Sequence, residues 1–118
     1  MSIEQRETDA FQNQPCMAPK IVNGPAGYED LASILLEALA QASVGKGKER
    51  HAQNRPFDRQ PICELPRMVG PAGTAYQVMK KTQEALRLPP DRAVAELLGA
   101  INYAAATIKI IRENANAS

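Results

Sequence analysis

The last quarter of the chain leaves little choice of structure. After Pro89-Pro90-Asp91 no further proline occurs, and glycine occurs once, at Gly99. Val94, Leu97, Leu98, Ile101, Ala105 and Ile108 recur at intervals of three and four, the period that gathers residues on one face of an α-helix. Proline suits a first helical turn and Asp91 suits the positive end of the helix dipole, so a helix is expected from here to about Asn114. Ala95, Gly99, Ala100, Ala104 and Ala106 fill much of the remaining surface. Small side chains let another helix come close. Glycine costs about 1 kcal/mol against alanine inside a helix, so Gly99 is expected at such a crossing, either within the subunit or between subunits.

The same period appears earlier. Tyr28, Leu31, Leu35, Leu39 and Ala42 predict a first helix from about Tyr28 to Ser43, with Glu29 and Asp30 in its first turn and Gly45 as its stop. Ile34, Leu36 and Ala38 widen that stripe. Thr74-Ala75-Tyr76-Gln77 has the form of a capping box, in which the Thr hydroxyl and the Gln side chain satisfy two unpaired backbone donors. It predicts a helix from Ala75 to about Leu86, with Ala75, Val78, Met79, Thr82, Ala85 and Leu86 on its core face. Between these, Ile62, Leu65, Met68 and Val69 have helical spacing, but Pro66 would break a bond deep in a helix. A short helix over Pro61 to Val69 is expected, with an extended segment as the alternative.

These elements make an all-α chain: a small bundle of three longer helices and one short one. Its 118 residues suffice for one domain. Residues 1–26 are polar, with Ile21-Val22 as a short apolar patch, and are expected to form an extended arm; 27–114 form the helical domain and 115–118 a tail. With no Trp, three Tyr and two Phe, the core must come from aliphatic residues and alanine. Such a core is thin, which favours a homo-oligomer as the working form.

A formal net charge of +1 removes any general attraction to nucleic acid or to an acidic membrane. Cys16 and Cys63 stand far apart and His51 is the sole histidine, so no zinc set is available and no metal or cofactor is expected. The polar start of the chain is unlike a secretory signal, and no apolar run approaches the roughly 20 residues of a membrane span, which points to the cytoplasm.

Positive charge concentrates between the first helix and the short one. Lys46, Lys48, Arg50, Arg55 and Arg59 against Glu49 and Asp58 give this stretch a formal +3. Glycines beside lysines let backbone N–H groups approach an anion, Arg grips phosphate with two donors, and His51 adds a hydrogen bond or a stacking face. These six residues, Lys46, Lys48, Arg50, His51, Arg55 and Arg59, are the candidate site for a phosphorylated ligand. The stretch lacks the spacing and preceding strand of a phosphate-binding loop. The plainer reading is a solvated loop that complements the end of the first helix. Phe57 and Pro56 are expected to pin it to the domain. Helical nucleotide pyrophosphohydrolases hold magnesium with several carboxylates on facing helices. Here Glu37, Glu64, Glu84 and Glu96 are scattered singly, and no nucleophile, base and carboxylate fall together, so an enzyme is not expected.

The phrases GKGKERHAQNRPFDRQ, PICELPRMVG and RAVAELLGAINYAAATI resemble small helical proteins of bacteriophages and prophages, over about Gly45 to Ile111. The resemblance implies an accessory protein in the bacterial cytoplasm and carries no residue roles. A non-enzymatic protein that sequesters a small anion, a nucleotide or a nucleotide-derived signal of host defence, is the leading expectation. The alternative is an interaction or structural protein with no small-molecule ligand.

Overall fold

The structure is a computed structural model and describes residues 24–44 and 55–117. The fold is all-α. Helix α1 spans Glu29–Ser43, a 3-10 turn spans Phe57–Arg59, α2 spans Pro61–Val69, α3 spans Ala72–Ala85 and α4 spans Pro90–Ala117. Of the expected arm only Gly24 to Ala26 falls among the described residues. The last helix continues three residues beyond its expected end, into the expected tail.

The chain divides into two compact units, residues 1–36 and 37–118, and the boundary falls inside α1. In the described part of the first unit a turn leads into the helix: Tyr28 N–H donates to the Pro25 carbonyl at 2.9 Å and Ala32 N–H to the Tyr28 carbonyl at 3.0 Å. Gly27 has a φ of 88°, where a side chain would be strained, and its N–H donates to Glu29 Oε1 at 3.0 Å. Leu31, Ile34, Leu35 and Leu36 are exposed.

In the second unit α3 and α4 make the most extensive pairing, and α2 packs on both. The α3–α4 pair is antiparallel, since Thr74 meets Thr107 at one end and Lys81 meets Glu96 at the other. α3 starts at Ala72, so Thr74 is not its cap. The Thr74 side chain is buried, its hydroxyl donates to the Pro71 carbonyl at 3.0 Å, and it accepts from the Thr107 hydroxyl at 2.7 Å. A partner across the helix pair has replaced the local one that a capping box would use. α2 is helical throughout despite Pro66, which is buried. Gly70, with a φ of 98°, closes the helix by donating its N–H to the Pro66 carbonyl at 2.8 Å.

The core is made of small residues. Among the described residues Ala38, Cys63, Pro66, Ala85, Ala100, Ala106 and Ile110 are its buried apolar members, with Gln60 and Thr74 the buried polar ones. This corrects two expected faces. On α3 only Ala85 of the predicted core face is buried, while Met79 and Leu86 are exposed. On α4 the large residues Val94, Leu97 and Ile108 are exposed, whereas Ala100, Ala106 and Ile110 turn inward. Helices approach closely only where both surfaces are small, and that side is the one α4 packs.

α4 also corrects the reading on apolar runs, since by length and composition it is long and apolar enough to cross a membrane. The two charged residues in its apolar centre, Glu96 and Lys109, are ion-paired with Lys81 of α3 and Asp58 of the 3-10 turn. Pairing to other elements of the same chain is what a bundle helix does with its charges.

Candidate functional site

Four of the six predicted site residues, Lys46, Lys48, Arg50 and His51, lie outside the described residues. The other two stand at the 3-10 turn. Arg55 Nη1 donates to Glu64 Oε1 at 3.3 Å and to the Arg59 carbonyl at 3.4 Å. The Arg55 carbonyl accepts from Gln60 Nε2 at 2.8 Å, and Gln60 is itself buried. Arg55 is therefore part of how the turn is built. Arg59 is exposed beside it. Of the two residues expected to pin this end of the basic stretch, Phe57 is half-buried and Pro56 is exposed.

Next to that turn is a cleft of about 640 Å³. Gln41 and Ala42 of α1, Phe57 and Gln60 of the turn, Ile62 of α2, Lys81 of α3, and Glu96, Gly99, Asn102 and Tyr103 of α4 line it. All belong to the second unit. Its size is within the usual range of small-molecule sites.

Three carboxamides dominate the polar lining, each tied down by one amide hydrogen. Gln41 Nε2 donates to the Ala95 carbonyl at 3.0 Å, Asn102 Nδ2 to the Ala38 carbonyl at 3.0 Å, and Gln60 Nε2 to the Arg55 carbonyl at 2.8 Å. A carboxamide has four hydrogen-bonding positions, so one bond fixes the group and leaves it both donor and acceptor capacity. The charged lining is matched within the chain: Lys81 Nζ lies 3.3 Å from Glu96 Oε2 and 5.7 Å from the centre of the Tyr103 ring. Gly99 is the floor. A Cβ there would meet the Lys81 methylenes at 3.4 Å and Gln41 Oε1 at 3.6 Å, so the close approach expected at Gly99 is to side chains of the same chain.

The 3-10 turn also joins a network of charges in the second unit. Arg67 of α2 binds both oxygens of Glu113, through Nε and Nη2, at 2.9 Å each. It also donates to the Asp58 carbonyl at 2.6 Å and to the Asp58 carboxylate, which Lys109 Nζ meets at 3.0 Å. Hydrogen bonds from Lys109 and then Arg67 hold the Asp58 carboxyl below its ordinary pKa; Arg67 does the same for Glu113, and Glu113 in turn raises the guanidinium. Burial pushes the nearby Cys63 thiol up. Arginine here links the turn, α2 and α4, which is a structural task. Among the described residues no group of three or more His, Cys, Asp or Glu could hold a metal ion.

Sequence reasoning missed the cleft. Lys81 falls outside the predicted core face of its helix, Glu96 is one of several scattered carboxylates, and Gln41, Asn102 and Tyr103 carry no recognisable pattern. The one available signal was the helical spacing of Glu96, Gly99, Asn102 and Tyr103, which places a polar strip on an otherwise apolar helix. Compared with family models, with curated proteins and with solved structures, the chain matches none.

Proposed function

We propose that this is a non-enzymatic binding protein of the phage accessory kind, acting in the host bacterial cytoplasm, that captures a small phosphorylated molecule. A nucleotide or a nucleotide-derived defence signal is the ligand class. The observation that carries this reading is that residues before and after the strongly basic part of the sequence line one cleft. Gln41 and Ala42, before Lys46, and Phe57 and Gln60, after Arg55, all line the cleft.

The division of labour follows from the charges. Lys81 is occupied by Glu96 and Arg55 by Glu64, so neither is a ready phosphate partner. Lys46, Lys48, Arg50, His51 and Arg59 supply that charge from the segment. The cleft takes the uncharged part, with carboxamide edges for a group carrying donor and acceptor side by side, and with Tyr103 and Phe57 as apolar faces.

Thermal shift against mononucleotides, cyclic mononucleotides and cyclic dinucleotides tests the reading. A ligand at 100 times its dissociation constant stabilises the native state by about 2.7 kcal/mol, which a melting curve resolves. Arg50→Ala with Arg59→Ala is expected to remove the shift and leave the melt of the free protein almost unchanged. Recovery of intact ligand after denaturation separates capture from hydrolysis. If no phosphorylated compound moves the melt, the reading fails. An interaction protein without a small-molecule ligand then takes its place, a reading favoured by the many exposed large aliphatic residues.

A further inference from the structure

The outward side of α4 carries a repeat that the core does not use. Val94, Leu97, Ile101, Ala104, Ile108 and Ile111 follow one another at steps of three, four, three, four and three. That alternation is the seam of a coiled coil, two and a half heptads long. Ile101 and Ala104 are half-buried, while Val94, Leu97, Ile108 and Ile111 are 40 to 53% exposed. Only 17% of the apolar centre of the helix is buried within the chain. A line of β-branched and Leu side chains at this spacing costs solubility unless something covers it.

We infer that a second copy of this chain covers the seam, with the two α4 helices packed antiparallel about a two-fold axis near residues 102 and 103. The register follows from side-chain size. In an antiparallel pair the layers are Val94 with Ile111 of the other copy, Leu97 with its Ile108, and Ile101 with its Ala104. Every layer is occupied, and the small Ala104 is filled by the large Ile101. A parallel pair would stack Ala104 on Ala104 and leave a void in the middle of the seam, which costs stability. Antiparallel helix dipoles also attract.

The area agrees with a second copy. From Val94 to Ile111 the seam is about 26 Å long at 1.5 Å per residue. Burying its half-exposed side chains with flanking Leu98 and Ala105 removes on the order of 500 Å² per subunit, near the lower limit for a specific interface. A dissociation constant in the micromolar range is expected. A membrane surface is a poorer occupant. An interfacial helix needs Lys and Arg along its polar flanks with large aromatic residues on its apolar face, and of the basic residues of α4 Lys109 is tied to Asp58 while the seam contains no aromatic residue. The pairing is independent of ligand capture in the cleft.

Sedimentation of the full chain between about 1 and 200 µM tests the proposal. The wild type is expected to pass from monomer to dimer across that range. Leu97→Glu and Ile108→Lys are each expected to remain monomeric with unchanged helical dichroism, because both side chains already face solvent in the subunit. Mixed in equal amounts, they are expected to form a heterodimer, since the antiparallel layer brings the new carboxylate against the new ammonium. A wild type that stays monomeric throughout, or a dimer indifferent to both substitutions, overturns the interface. Two monomeric variants that fail to pair on mixing overturn the antiparallel register. A wild type that stays monomeric but sediments with neutral phosphatidylcholine vesicles assigns the seam to lipid instead.

Discussion

The two sides of α4 use their residues in opposite ways. The inward side buries Ala100, Ala106 and one large residue, Ile110, while the outward side exposes Val94, Leu97, Ile108 and Ile111. Hydrophobicity alone would have reversed them. What decides is how close a neighbouring helix can come: α3 presents Thr74 and Ala85, so the antiparallel pair closes where both surfaces are small and the larger side chains are left outside. The subunit therefore rests on a few buried positions, and most of its large aliphatic surface is available for something other than its own folding.

That contrast makes the largest prediction. Ile110 is fully buried, so Ile110→Ala is expected to cost about 2 to 5 kcal/mol through lost burial and a residual cavity. Ile108→Ala, two residues away, is expected to change the subunit's stability by less than about 0.5 kcal/mol. Urea titrations at submicromolar protein, below the range proposed for pairing of copies, measure both. Equal losses at the two positions would erase the distinction between the faces.

A smaller effect is expected from the charge network that fastens α2 and the 3-10 turn to the inward side of α4. Asp58 and Glu113 have folded pKa values held below their ordinary 3.8 and 4.5. A depressed carboxylate contributes stability that is fully present above its unfolded pKa and is lost as pH falls through the folded value. The melting temperature should therefore be flat near neutrality and fall once the pH drops below about 4.5. Arg67→Ala should lower the neutral melting temperature and flatten the acid limb, because both carboxyls lose a partner. An acid limb unchanged by Arg67→Ala would detach the network from stability.

Gly99 gives the smallest and most local test of the inward side. A methyl group there meets the Lys81 stem at an ordinary contact distance of 3.4 Å, while alanine gains helix propensity over glycine. Gly99→Ala is expected to raise stability by up to about 1 kcal/mol in a denaturant titration. A clear loss would show that the floor of the cleft tolerates no added atom.

The helices themselves were legible in the sequence. α1, α2 and α4 start within a residue of where apolar period, Pro and early acidic residues put them, because those signals are local and act through backbone geometry. The site was less legible. The basic residues stood out as a charge cluster, and Phe57 marked where the cluster is anchored. The cleft depends on Gln41, Gln60, Lys81, Asn102 and Tyr103, drawn from separate parts of the chain, and no spacing along the sequence joins them.

By itself the sequence determined the all-α class, the starts of α1, α2 and α4 and the concentration of positive charge, all of which follow from period and composition. Only the tertiary structure decided which side of each helix is inside. It moved Thr74 from cap to inter-helix contact, gave Gly99 to the Lys81 stem, and left the seam of α4 facing outward. The physical reason is that period fixes which residues share a face, while burial depends on the shape of the neighbour that meets it, and that neighbour is known only when the helices are in place.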